Sequence, residues 1–154
     1  MADAKTSSVK AETIQLSAAR NRLALVWLFT AGAIFLLLIV QTFLGHFEDK
    51  SQDVWSWVLP TLMPTLTLMV TVVGADALRA EATDMVVRKG FFRLALVMSV
   101  FYLLLVLATL LVEPLTSIRL LDLLKISNLW LGPLQGLVTS ALGLLFFSKR
   151  AAEA

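Results

Sequence analysis

The sequence predicts an all-α integral membrane protein: an antiparallel bundle of four transmembrane helices, with a short amphipathic interfacial helix between the third and fourth. Three observations predict it. Hydrophobic residues make up 58% of the 154-residue chain and charged residues 16%, against roughly 25% charged in a soluble domain. The apolar excess falls in four blocks, each near the roughly 20 residues a helix needs to cross a bilayer. The blocks are continuously apolar, without the two-residue alternation of a lipid-facing barrel strand, so helices are the way to satisfy their backbone.

The spans are expected at about 23–44, 54–78, 92–112 and 129–147, within a single domain covering 1–154. The polar lead is too long for a cleaved signal peptide and the first apolar run too long for its hydrophobic region, so span one is expected to act as a signal anchor. Residues 1–8 read as a disordered tail. From about Val9 to Arg22 the composition favours helix, which would extend span one outward. Ten Lys and Arg fall in the N-terminal tail, the loop between spans two and three, and the C-terminal tail, against three (Lys50, Arg119, Lys125) on the other side. The excess of cations predicts that both termini are cytoplasmic, in what reads as a bacterial inner membrane. Aromatic residues agree: Phe43, Phe47, Trp55, Trp57 and Trp130 gather at one expected boundary, and Trp27, Phe91, Phe92, Phe146 and Phe147 at the other.

The loop between spans three and four contains the expected interfacial helix, about 115–126. There Thr116, Arg119, Asp122 and Lys125 recur every three residues among leucines and isoleucine.

Span two is the most informative segment. Pro60 and Pro64 lie four apart, on one helical face, and remove two backbone donors from it. At about 100° per residue, Ser56, Thr67, Thr71 and Gly74 share that face. A kinked, hydroxyl-bearing face is expected to meet protein or water. Thr61 and Thr65 lie elsewhere, on the side of Asp76. Asp76 precedes Arg79 by about one turn, which predicts an ion pair at the end of the span.

Span four carries Gly132 and Gly136 as a GxxxG, continued by Ser140 and Gly143. Small residues at this spacing let helices approach closely, and Gln135 and Thr139 beside them can hydrogen-bond across a contact. These six residues form the expected packing seam.

The composition also excludes. With no cysteine and one histidine, thiol catalysis, iron–sulfur clusters and His-rich metal sites have no ligands. His46 beside Glu48, Asp49 and Asp53 is too sparse a set to predict a metal, and no cofactor is expected. The net charge of +2 belongs to the flanks of the spans and predicts no nucleic-acid surface. No acid, base or histidine lies in the middle of a span, which argues against a proton-coupled transporter or an intramembrane enzyme. The expected role is that of a structural or assembly subunit in the lipid bilayer, self-associating or docking to a larger membrane protein through spans two and four. The alternative is a homo-oligomeric pore lined by the Pro/Thr face of span two.

Overall fold

A computed structural model of the chain describes residues 13–78, 86–112, 115–116 and 118–147. It contains four long helices: α1 (Leu16–Phe43), α2 (Ser51–Leu78), α3 (Lys89–Val112) and α4 (Leu120–Phe147). Each is long and apolar enough to span a membrane. The expected tail 1–8 lies outside the described residues.

α1 ends because Gly45 takes a positive φ of 71°. The amides of Gly45 and His46 donate back to the carbonyls of Thr42 (3.1 Å) and Gln41 (3.0 Å). This is the paired bonding that closes a helix at a left-handed glycine. A short 3-10 turn (Glu48–Lys50) then leads into α2. Contacts tie the end of α1 to the start of α2: the Trp55 indole N–H donates to Thr42 Oγ1 (3.3 Å), and Trp55 stacks on Phe35 at 6.1 Å.

Two short strands lie beside the opposite ends of the helices. β1 (Thr13–Gln15) pairs antiparallel with β2 (Val86–Arg88), Ile14 opposite Val87. Of the helix expected from about Val9, residues 9–12 lie outside the described residues, and Thr13–Gln15 form a strand instead, so that α1 starts at Leu16. Thr13 lies opposite Arg88, Ile14 opposite Val87 and Gln15 opposite Val86, and this pairing, with β-branched residues on both strands, overrides a modest helix propensity.

A second difference concerns the interfacial helix. Residues 113, 114 and 117 lie outside the described ones, but from Leu120 onward the chain is one continuous helix of 28 residues. Two amides of its first turn, Asp122 and Leu123, donate to the Arg119 carbonyl. Leu120, Leu124, Ser127 and Leu131 are buried at spacings of four, three and four, a single stripe running through the expected break at 126–129. Asp122 and Lys125 stay exposed on the opposite side. The polar repeat is thus the outer face of the start of α4. At about 1.5 Å per residue this helix is about 42 Å long, more than the roughly 30 Å hydrocarbon core requires.

The four helices share one core. Trp27, Ile34 and Leu38 of α1 are buried with Val58, Leu62 and Met69 of α2, Leu103 and Val106 of α3, and Val138 and Leu142 of α4. Trp27 stacks on Tyr102 with ring centroids 5.8 Å apart. The outer surface is equally apolar, with Phe29, Leu36, Val97, Leu104, Leu137 and Leu144 all more than half exposed. Dispersion and shape, more than a difference in polarity, must therefore hold such helices together in lipid. Replacing Trp27 with alanine should lower apparent stability by about 3–5 kcal/mol, read as the shift in unfolding midpoint in mixed micelles.

Candidate functional site

At one end of the helices a charged residue sits inside the core stripe of α1. Arg20 lies between Leu16 and Leu23, both buried, and its own side chain is only 5% exposed. Its guanidinium reaches three acceptors on two other helices. Nη1 donates to Asp76 Oδ2 of α2 at 2.7 Å. Nη2 donates to the Phe146 carbonyl of α4 at 2.6 Å, and Nε to the Leu145 carbonyl at 3.3 Å. The Phe146 ring lies 5.9 Å from the guanidinium carbon. The last carbonyls of a helix have no intrahelical donor and carry partial negative charge, so a cation there satisfies both needs. Only the planar fork of arginine serves these acceptors at once. Asp76 thus finds its partner 56 residues away in sequence; Arg79, expected to pair with it, lies outside the described residues.

The middle of α2 carries the second polar constellation. Pro64 has no N–H, so the Pro60 carbonyl loses the donor it would have in a regular helix. Gln135 of α4 supplies one: its Nε2 donates to the Pro60 carbonyl at 3.1 Å and to the Thr61 carbonyl at 3.2 Å. Tyr102 of α3, fully buried, adds a 2.9 Å bond from its hydroxyl to the same Thr61 carbonyl. Gln135 therefore repairs the proline defect, as backbone in an apolar medium demands, and Tyr102 holds the adjacent carbonyl from a second helix. Thr61 and Thr65 are buried on this inner side, Thr61 donating to the Trp57 carbonyl at 2.6 Å.

The face of α2 bearing Ser56, Pro60, Pro64, Thr67, Thr71 and Gly74 points the other way, and all six residues are exposed. On α4, Gly132, Gly136 and Ser140 are likewise exposed, while Gln135, Thr139 and Gly143 are half-buried. A Cβ added at Gly132, Gly136 or Gly143 would meet nothing within 4 Å. No helix among the described residues approaches closely there. α4 instead packs through Leu131, Val138, Leu142 and Leu145. Among the described residues, no group of three or more His, Cys, Asp or Glu side chains is arranged to hold a metal ion.

Sequence reasoning missed Arg20 and the joint role of Tyr102 and Gln135. Arg20 had a readable signal, since it interrupts the helical spacing of Leu16, Leu23 and Trp27. Nothing in the sequence marks which carbonyl Tyr102 or Gln135 will reach.

Asp76→Asn should lower stability by about 2–3 kcal/mol, less than for a fully buried pair because Asp76 is 32% exposed. Arg20→Lys should not preserve the clasp, because an ammonium cannot match the fork; unchanged unfolding midpoints in both variants would remove it. Gln135→Leu should cost about 1 kcal/mol in the native background. It should cost less when combined with Pro64→Ala, which restores the missing amide; a double-mutant cycle on unfolding midpoints reads the difference. In comparisons with known proteins, no family model, no curated protein and no solved structure matches this chain.

Proposed function

We propose that this chain is a small polytopic membrane subunit that assembles through the outward faces of α2 and α4, with a second copy of itself or with a larger membrane protein. One observation carries the reading. The proline-kinked, hydroxyl-bearing face of α2 and the glycine strip of α4 are both exposed on the single chain. Small residues are of little use against lipid, but they let another helix come close enough for extensive backbone contact. Gly132 and Gly136 leave room for such an approach, since nothing within the described chain occupies it.

In this reading the helices cross the bilayer antiparallel, with both termini cytoplasmic, in a bacterial inner membrane. The excess of Lys and Arg in the tails and the loop between α2 and α3 supports that orientation. The position of Arg20 beside the ends of both α2 and α4 supports the alternation of direction. The role is one of assembly and not of catalysis.

A pore is the second reading, favoured by Thr67 and Thr71, whose exposed side chains share one face in the middle of a span. A ring of copies would turn that face to a lumen.

Gly136→Ile tests assembly. The added side chain has space in the single chain, so stability should stay within about 0.5 kcal/mol of the parent. The complex extracted from its own membrane should dissociate by native mass spectrometry, and a complex of unchanged mass would overturn the proposal. Thr67→Leu with Thr71→Leu should leave ion flux through proteoliposomes unchanged; a changed conductance with the assembly intact would make the pore the correct reading.

A further inference from the structure

Where the first turns of α2 and α4 lie side by side, at the end of the bundle near Gly45, the surface opens into a cleft of about 210 Å³. Asp53 and Ser56 of α2 and Lys125 and Asn128 of α4 stand on its rim, all exposed. Leu124, buried, and Leu121, half-buried, give it an apolar wall. Trp57 completes the lining; it is 7% exposed, and its indole N–H has no acceptor among the described residues.

We infer that this cleft binds the headgroup of a zwitterionic aminophospholipid, a phosphate joined to a primary ammonium as in phosphatidylethanolamine. The lining offers both signs of charge. Asp53 and Lys125 form no ion pair with each other or with another described residue, so both remain available. Two helix N-termini adjoin the cleft and favour an anion. Lys125 and the Asn128 amide are donors for phosphate oxygens. The ammonium needs acceptors, and the lining has them in the Asp53 carboxylate and in Ser56. The Ser56 hydroxyl already donates to the Asp53 carbonyl at 2.8 Å, so it faces a ligand as an acceptor. Leu121 and Leu124 favour a molecule with an apolar continuation over a free headgroup, and a tryptophan at a span end lies at the depth where lipid headgroups sit.

The test reconstitutes the full chain in nanodiscs of equal parts phosphatidylethanolamine, phosphatidylglycerol and phosphatidylcholine, then reads the retained lipid by native mass spectrometry. Phosphatidylethanolamine should be enriched about threefold over each competitor, the factor expected of one exposed ion pair. Phosphatidylglycerol lacks the cation, and phosphatidylcholine lacks the N–H donors. Asp53→Asn and Lys125→Gln should each return the retained lipid to the composition of the disc. Lys50→Gln, outside the cleft, should leave the enrichment intact. Retained lipid that follows the bulk composition in the parent chain, or enrichment that survives both cleft variants, would overturn the site. So would loss of enrichment in Lys50→Gln, which would assign it to general charge. Soluble glycerophosphoethanolamine that displaces the lipid at an equal concentration would overturn the lipid as the ligand. Circular dichroism of each variant, together with its retention of phosphatidylglycerol, distinguishes a lost site from a lost fold.

Discussion

Much of the arrangement depends on one buried guanidinium. Arg20 sits in the core stripe of α1 and is held by Asp76 of α2 and by the last carbonyls of α4. Removing a charge from water costs several kcal/mol unless geometry and hydrogen bonding return it. Here the return comes from one full negative charge and two carbonyls at a helix C-terminus, where the macrodipole adds to the attraction. The requirement is geometric as well as energetic. Three helices must end at one level and one rotation for the acceptors to coincide, so the clasp specifies register in a chain whose apolar surfaces do little to distinguish one register from another. The β1–β2 ribbon lies at the same end and ties the segment before α1 to the segment before α3.

The second constraint lies at mid-depth. Two prolines four residues apart would leave carbonyls without donors, and lipid has none to offer. Gln135 of α4 supplies one to the Pro60 carbonyl, and Tyr102 of α3 bonds the next carbonyl, Thr61, so the defect in α2 lies at a contact among three helices. The rings of Pro60 and Pro64 and the side chains of Thr67 and Thr71 are left outside. Gly132 and Gly136 of α4 are outside as well. A chain that exposes the Pro60–Thr71 face of α2 and the Gly132–Gly136 strip of α4 has the form expected of a subunit, and this is why assembly is the function proposed.

Much of the fold was legible in the residues, and the site only in part. The four apolar blocks lie within the four helices, and the face shared by Ser56, Pro60, Pro64, Thr67, Thr71 and Gly74 follows from helical period alone. The start of α4 was less legible. A polar residue every third position reads equally as an interfacial helix and as the outer face of a longer one, and only the buried line of Leu120, Leu124, Ser127 and Leu131 decides between them. The ribbon was not legible, because Ile14 and Val87 have no local signal that they will meet.

The sequence by itself determined the number of helices long and apolar enough to span a membrane, the backbone defect in α2 and the residues grouped on each helical face. These follow from short-range terms: transfer of side chains into hydrocarbon, the missing amide of proline, and a period of 3.6 residues. Only the tertiary structure decided that Asp76 takes Arg20, that Gln135 and Tyr102 serve the carbonyls of Pro60 and Thr61, and that the glycine strip meets no helix of the described chain. The physical reason lies in the medium. Where interior and exterior are both apolar, hydropathy does not say which side of a helix faces inward. Contacts between residues 41 to 126 positions apart settle it instead.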